Sequence, residues 1–393
     1  MNIILFDTEA RKKLFPLTLT RAVADLRMGI FTIKERWEKM SGCQVFVLTD
    51  AYLQPLYQAA TAGEYVFVDA GVMPDTALIQ RITALAVNEA IKDENGLIAG
   101  KTVIGGLPSI HEIASVFKNV TSVSPVKRLS FPFQLFQWNS EMITMDFKLA
   151  TKGRTSVNAN DGVRITNPSA VFIEDGASVN HSFLNASEGP VYIGKNALVM
   201  EGCLIRGPFV LGEGAVLKMG AKIYGATTIG PYSTAGGEIK NSILTGYSNK
   251  AHDGYLGDSV IGEWCNLGAG TTNSNVKNTA ACIKQYNYDS NDYIEAGNKC
   301  GLIIGDYSRT AINSSINTGA VIGICCNVFG EGLLPKFIPD FAWGTKEETR
   351  YQFEKSLQDI ANWKKMKNKT ITPQETQVLK HIFELCDTNN FNS

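Results

Sequence analysis

Between Ile193 and Ile229 an apolar residue falls on every sixth position without a miss: Ile193, Val199, Ile205, Leu211, Leu217, Ile223 and Ile229. Glycines recur at three times that period, in the sets Gly194, Gly212 and Gly230, Gly202 and Gly220, and Gly207 and Gly225. One structural unit is therefore 18 residues made of three sixes, the pattern of a three-sided parallel β-helix coil. Four residues after each apolar position stands a mostly small one, Ala197, Cys203, Ala215, Ala221, Thr227 and Ser233, with Phe209 as the exception. Tight corners need small side chains there, and glycine where φ must be unusual. The register returns as Ile304, Thr310, Ile316, Ile322 and Val328, with a shorter piece at Ile261 and Leu267. Two departures from it, 236–258 and 273–303, are expected to loop out from the coils.

The flanks follow other patterns. Residues 1–135 predict an α/β domain, with apolar runs at 3–6, 45–48 and 65–68 alternating with helix-like stretches such as 32–40. A connecting helix is expected at 133–149 within a linker of 136–160, and the β-helix at 161–335. The tail, 336–393, reads as helical. Phe353, Leu357, Ile360 and Trp363 share one face, and Pro373 opens a second helix through Leu379, Ile382 and Leu385. Those helices are expected to pack back on the rod as a cap.

Composition narrows the function. A net charge of −1 and 19% charged residues argue against nucleic acid and membrane surfaces, which call for a basic face, and favour small molecules. There is no run of 18 apolar residues, and the opening MNIILFD lacks a basic n-region and soon reaches Asp7, so a cytoplasmic location is expected. The eight cysteines form no CxxC pair, and Cys203 and Cys265 fall in the small corner slot, where burial explains them. Of the four histidines, only His181 and His252 lie in the coil region, which argues against a three-histidine zinc site.

The stretch 249–272, NKAHDGYLGDSVIGEWCNLGAGTT, is the richest in chemistry. An imidazole is suited to taking a proton from an amine or hydroxyl near neutral pH. The block AHDGYLGDSVIG, then CNLGAGT and NSNVKN, resembles the acetyltransferase half of the bifunctional N-acetylglucosamine-1-phosphate uridyltransferase and glucosamine-1-phosphate acetyltransferase family, where patterns like GHLTYLGD, NVNIGAGT and CNYDG stand at the same spacing. The whole chain, with NSN, KFIPDFAWG and its helical tail, looks like the two-domain Bacteroidetes-type variant. The resemblance implies a left-handed β-helix, where the usual crossover rule implies the opposite hand. It makes His252 the general base on the sugar amine, with Tyr255 and Asn266 on the sugar phosphate or acetyl group. Ala269 would meet coenzyme A through its backbone, and Asn275 would orient the substrate. Basic residues for the sugar phosphate are Lys222 and Lys240 when counted back from His252, or Tyr224 and Ser242 in their place if the hexapeptide register decides. Lys250 and Lys277 are further candidates. The bacterial tyrosine after the second asparagine is Val276 here.

The first half resembles sugar nucleotidyltransferases less completely. Their opening strand leads into a glycine-rich loop of the type GGxGTRLxPLTxxxPK, whose amides and cations hold phosphates. Here IILF is followed by DTEARKKLFPLTLTRAVADLRMG, in which PLTLTR survives at 16–21, the glycines are absent, and the PK lysine falls on Val23. Lys13 falls where the loop arginine would be, Arg21 or Arg27 could replace the lost charge, and Asp69 is a candidate Mg²⁺ carboxylate.

Together these imply a sugar-phosphate enzyme that moves an acetyl group from acetyl-CoA to the amine of glucosamine-1-phosphate. Nucleotidyl transfer from UTP or dTTP would be its second activity, in a homotrimer whose sites lie in grooves between rods. Two alternatives stay open: a nucleotidyltransferase whose rod only assembles trimers, and a non-catalytic sugar-nucleotide-binding protein.

Overall fold

A computed structural model describes residues 2–345 and 349–387. The first domain is a six-stranded mixed sheet in the order Val45–Leu48, Asn2–Phe6, Gly63–Asp69, Gly96–Ile104, Glu89–Asp93, Asn119–Ser122. The first three strands, which hold the expected apolar runs, are parallel, and Gly96–Ile104 is antiparallel to both of its neighbours. The helix expected at 32–40 is Ile33–Ser41. Thr32 and Glu35 close a capping box at its start, and Gly42 ends it at φ 68°.

The rod is a three-sided parallel β-helix whose coils feed sheets of nine, eight and six strands. The seven aliphatics at period six all point inward, from 0 to 3% exposed. Each strand pairs in parallel with its equivalent in the next coil, for instance Val191↔Phe209, Val199↔Leu217 and Ile205↔Ile223. Cys203 and Cys265 are buried at their corners as expected.

The nine-stranded sheet is buried on both faces. Its inward row includes Ile229, Leu244, Ile261 and Ile304, while the outward row of Ile243, Val260, Ile303 and Val321 joins the core of the first domain. Helix Phe133–Thr151 contributes Phe133, Leu135 and Phe136 to that same core. Asn139 accepts from the Gly29 N–H at 2.7 Å and donates to the Ala226 carbonyl at 2.8 Å, stitching first domain, helix and rod together. The fully buried Arg36–Asp146 pair, 2.8 Å, fixes the helix against the first domain.

One expectation is overturned and another extended. Residues 236–258 do not loop out: Glu238–Lys240 and Tyr255–Gly257 continue the six-stranded sheet. The coil is merely short, so that Ala235 pairs with Lys250, 15 residues on, where Leu217 pairs with Ala235, 18 on. The second departure does leave the rod, as an antiparallel hairpin of Ile283–Asn287 and Asp292–Gly297, after which Ile261 pairs with Ile304. The tail helices, Phe353–Lys365 and Pro373–Asp387, do pack back on the rod, with Phe341 against Phe353 and Phe383 and Arg309 over Trp363, but they cover the first domain as well. Ile360, Val378, Leu379 and Ile382 lie in one core with Leu14 and Phe15, and His381 stacks on Tyr52 at 4.5 Å. Their apolar faces are shared between the rod and the first domain, because the outer loops of that domain also present apolar side chains. Among the described residues no helix is long and apolar enough to cross a membrane.

Candidate functional site

The earlier coils pass from the eight-stranded to the six-stranded sheet through a corner, the coils of Leu267 and Thr310 pass to the two-stranded pair Thr272–Asn273 and Ser315–Ile316, and the residue two past the inward position stands at that corner in each. Counting from the paired inward residues, that column reads Glu201, Met219, Gly237, His252, Ala269 and Ile312. The candidate base and the candidate coenzyme A contact thus lie on one edge of the prism in adjacent coils, with the ladder between them offset by one residue: the Gly270 N–H meets the Asp253 carbonyl rather than that of His252. His252 is exposed, and the Ala269 carbonyl accepts from the Asn313 N–H at 2.7 Å.

On the six-stranded sheet beside this corner the Tyr255 hydroxyl accepts from Asn275 Nδ2 at 3.1 Å. Asn275 also donates to one oxygen of Asp258, whose other oxygen accepts from Asn241 Nδ2 at 2.6 Å. Burial and the neighbouring Asp258 carboxylate push the Tyr255 phenol well above its ordinary range, so it stays a protonated donor at neutral pH. One coil away, Lys240 is paired in register with Gly257 and Glu238 with Tyr255. The Lys240 ammonium lies 5.8 Å from the Tyr224 ring centroid, and Tyr224 donates to Glu238 at 2.6 Å. The alternative to Lys240 fails: Ser242 is fully buried and spends its hydroxyl on the Lys240 carbonyl at 2.8 Å. Lys222 is exposed, one coil further along the same face. Asn266 lies across the corner on the eight-stranded sheet, with its side-chain oxygen 3.4 Å from Asn249 Nδ2.

Two lysines stand elsewhere than expected. Lys250 points into the rod, 1% exposed, donating to the carbonyls of Gly236 at 3.1 Å and His252 at 2.5 Å. Desolvation brings it down to about 8. Lys277 turns back onto the Cys282 carbonyl at the start of the hairpin excursion. Neither is free to meet a sugar phosphate in this arrangement. Asp258 and Asn241 were passed over, although Asp258 lies inside the quoted motif; a carboxylate after a glycine in a coil reads as a solvated corner until its partners are known.

In the first domain the phosphate candidates are dispersed. Arg21, 9% exposed, is held by Asp306 and by Glu263 at 3.1 Å, both carried by the rod, and Thr20 donates to the same Asp306 at 2.5 Å. Its charge is neutralised at the domain junction. Arg27 donates to the Ile30 carbonyl at 2.5 Å and stands 3.6 Å from Glu35. Lys13 ends up beside the hairpin, where its carbonyl accepts from Asn287 at 3.0 Å. Asp69 is buried, pushed up to about 6 by desolvation, and paired with Arg128 at 3.2 Å. That pairing does not suit a Mg²⁺ ligand, and among the described residues no group of three or more His, Cys, Asp or Glu could hold a metal. The cation the sequence pattern concealed is Arg11, which is clamped by Asp50 and donates to the Thr18 carbonyl at 2.6 Å. It borders a cavity of about 480 Å³ with Thr8, Lys12, Tyr52, His111 and His381.

Residues 3–155 match the family described as sugar nucleotidyl transferase. The chain is 26% identical over 203 residues to the "Bifunctional protein GlmU" of Synechococcus elongatus, covering 46% of this chain and 41% of that protein. It is 35% identical over 92 residues to the "Bifunctional sugar-1-phosphate nucleotidylyltransferase/acetyltransferase" of Sulfurisphaera tokodaii, covering 23% of each. The chain thus spans less than half the length of these relatives. A solved Arabidopsis UDP-N-acetylglucosamine acyltransferase is similar with a TM-score of 0.29 and 13% identity, over 60% of this chain and 92% of that one, a likeness too loose to bear on fold or function.

Proposed function

We propose that this protein transfers the acetyl group of acetyl-CoA to the amine of a glucosamine-1-phosphate-like sugar at the His252 corner. The observation that carries the reading is the juxtaposition there: an exposed imidazole at the corner one coil from Ala269 and on the same edge as the Tyr255, Asn275 and Asp258 hydrogen-bond chain. His252 takes a proton as the sugar nitrogen attacks the thioester carbonyl. The C–S bond then breaks, the amide remains on the sugar, and the thiolate leaves and is protonated. The Tyr255 phenol is the donor to the sugar, and Lys240, backed by Lys222, supplies positive charge for its phosphate. Asn266 and the Ala269 backbone face the acyl donor across the corner. A homotrimer would complete the groove. Its support is the exposure of apolar side chains on this side of the rod, Phe183 and Leu204 paired on the six-stranded sheet and Met219 and Ile312 in the corner column, each between 49 and 69% exposed.

The test is to supply acetyl-CoA and glucosamine-1-phosphate and follow free thiol. His252→Ala should lower kcat by about 10²-fold, the size expected for a lost general base, while leaving the fold intact. Unchanged turnover would remove His252 from the mechanism. A second activity, nucleotidyl transfer from UTP or dTTP, is favoured by the family match over residues 3–155. With Arg21 committed to two carboxylates and no glycine cradle after the first strand, it should be slow, read as pyrophosphate release.

A further inference from the structure

The buried lysine beside the histidine is a different kind of residue from the one its sequence position suggests. Lys250 lies six residues before the inward Leu256, on the row that carries Leu217, Ala235 and Leu267 in neighbouring coils. An ammonium group in an apolar stack is costly unless it is hydrogen-bonded. Its acceptors here are the Gly236 and His252 carbonyls. The small Ala235 in the adjacent coil leaves room for the side chain to reach both.

Other corners show what the His252 carbonyl lacks. In three of them the N–H three past the inward residue donates to the carbonyl two past the inward residue of the preceding coil, Gly202 to His181 at 3.0 Å, Gly220 to Glu201 at 3.0 Å, and Asn313 to Ala269 at 2.7 Å, while at the corner that leads into the short coil the Glu238 N–H turns from Met219 to the Gly254 carbonyl at 3.3 Å. By that rule the Gly270 N–H would reach His252. It goes instead to Asp253, at 3.1 Å. The coil is short, the corner has slipped by one residue, and the carbonyl of the candidate base is left outside the ladder.

We propose that Lys250 is a positioning residue for acetyl transfer: its ammonium replaces the missing ladder N–H at the His252 carbonyl and holds the slipped corner in the shape that presents the imidazole. The inference rests on the catalytic reading of His252 given above. Lys250 itself touches no substrate, and acts only through the backbone of the residue that does.

Lys250→Leu is the informative variant, because leucine is what Leu217 and Leu267 place on the same row, so the side chain fits the stack while the two carbonyls lose their donor. The expected result is a folded protein with a modestly lower melting temperature, KM values within about twofold of the parent, and a kcat lower by about tenfold or more at a temperature where both are fully folded. Amide exchange at residues 251–254 should be faster. In a His252→Ala background the same substitution should cost nothing further in kcat, since its effect passes through the histidine. An unchanged kcat, unchanged exchange, or the same fractional loss in both backgrounds would overturn the proposal. If His252→Ala is impaired and Lys250→Leu is not, only this inference fails. If His252→Ala keeps full turnover, the catalytic reading fails and takes the inference with it.

Discussion

Arg21 shows how far a side chain's surroundings can redirect its role. It belongs to the best-preserved stretch of the first domain, PLTLTR, and a lone arginine there would suit a phosphate. Packed against the rod, it meets Asp306 and Glu263 instead, and these hold the guanidinium firmly protonated against the opposing effect of burial. The Asp306 carboxylate is further engaged by the Glu263 N–H at 2.7 Å, so the cluster is built to face inward. Removing one member of a buried pair strands the others' charge, which costs about 3–5 kcal/mol. Arg21→Ala should therefore lower the urea midpoint by an amount of that order. The assay that decides is equilibrium unfolding run beside pyrophosphate release. A variant of parental stability that has lost a measurable nucleotidyl activity would return Arg21 to the phosphate site.

At the scale of elements, the two sides of each strand carry different information. Strands of the six-stranded sheet such as Lys222–Tyr224 and Glu238–Lys240 bury one residue and turn their neighbours to solvent or to the site. Strands of the nine-stranded sheet such as Val260–Ile261, Ile303–Ile304 and Val321–Ile322 bury both. Ile303→Ala should consequently cost about 2–5 kcal/mol, although its side chain lies outside the coil, whereas Arg206→Ala on the exposed face should stay within about 0.5 kcal/mol. Equal small effects at both positions would mean that the first domain does not rest on this sheet. The same contrast explains what could be foreseen. The inward row was legible because seven consecutive coil sides keep a fixed period, and the AHDGYLGD block was legible because its spacing survives. Residues 236–258 were not, because a coil shortened to 15 residues keeps its pairing while breaking any fixed period. Counting six back from Leu256 would have placed Lys250 inside the rod; counting from the histidine placed it on the sugar. The second partner of the tail helices, the first domain, was hidden for another reason: an amphipathic face states that it will be buried, not against what.

Among the described residues the two largest hydrophobic cores divide the chain differently from its linear order of domains. One is the interior of the rod, from Val171 to Ala342. The other joins the first domain, the outward row of the nine-stranded sheet and the tail helices, with Leu14, Trp37, Ile243, Ile303, Ile360 and Leu379 among its members. The tail therefore acts as a strap between the other two parts: Lys364 pairs with Glu375 inside it and reaches Trp264 of the rod at 5.4 Å, while His381 lies on Tyr52 of the first domain. Four of its side chains, Ile360, Val378, Leu379 and Ile382, are between 0 and 3% exposed. Each such burial contributes about 1.5–3 kcal/mol, so together they rival the net stability of a typical domain. Ending the chain before Phe353 should then uncouple the two cores. The rod interior, untouched by the cut, should keep its melting temperature, while the first domain should lose its own transition to a lower temperature or unfold at ambient conditions. Calorimetry of the full chain and the truncated one would separate the outcomes. If both melt in a single transition at the same temperature, the tail contributes nothing to holding the first domain on the rod, and the shared core has no energetic meaning.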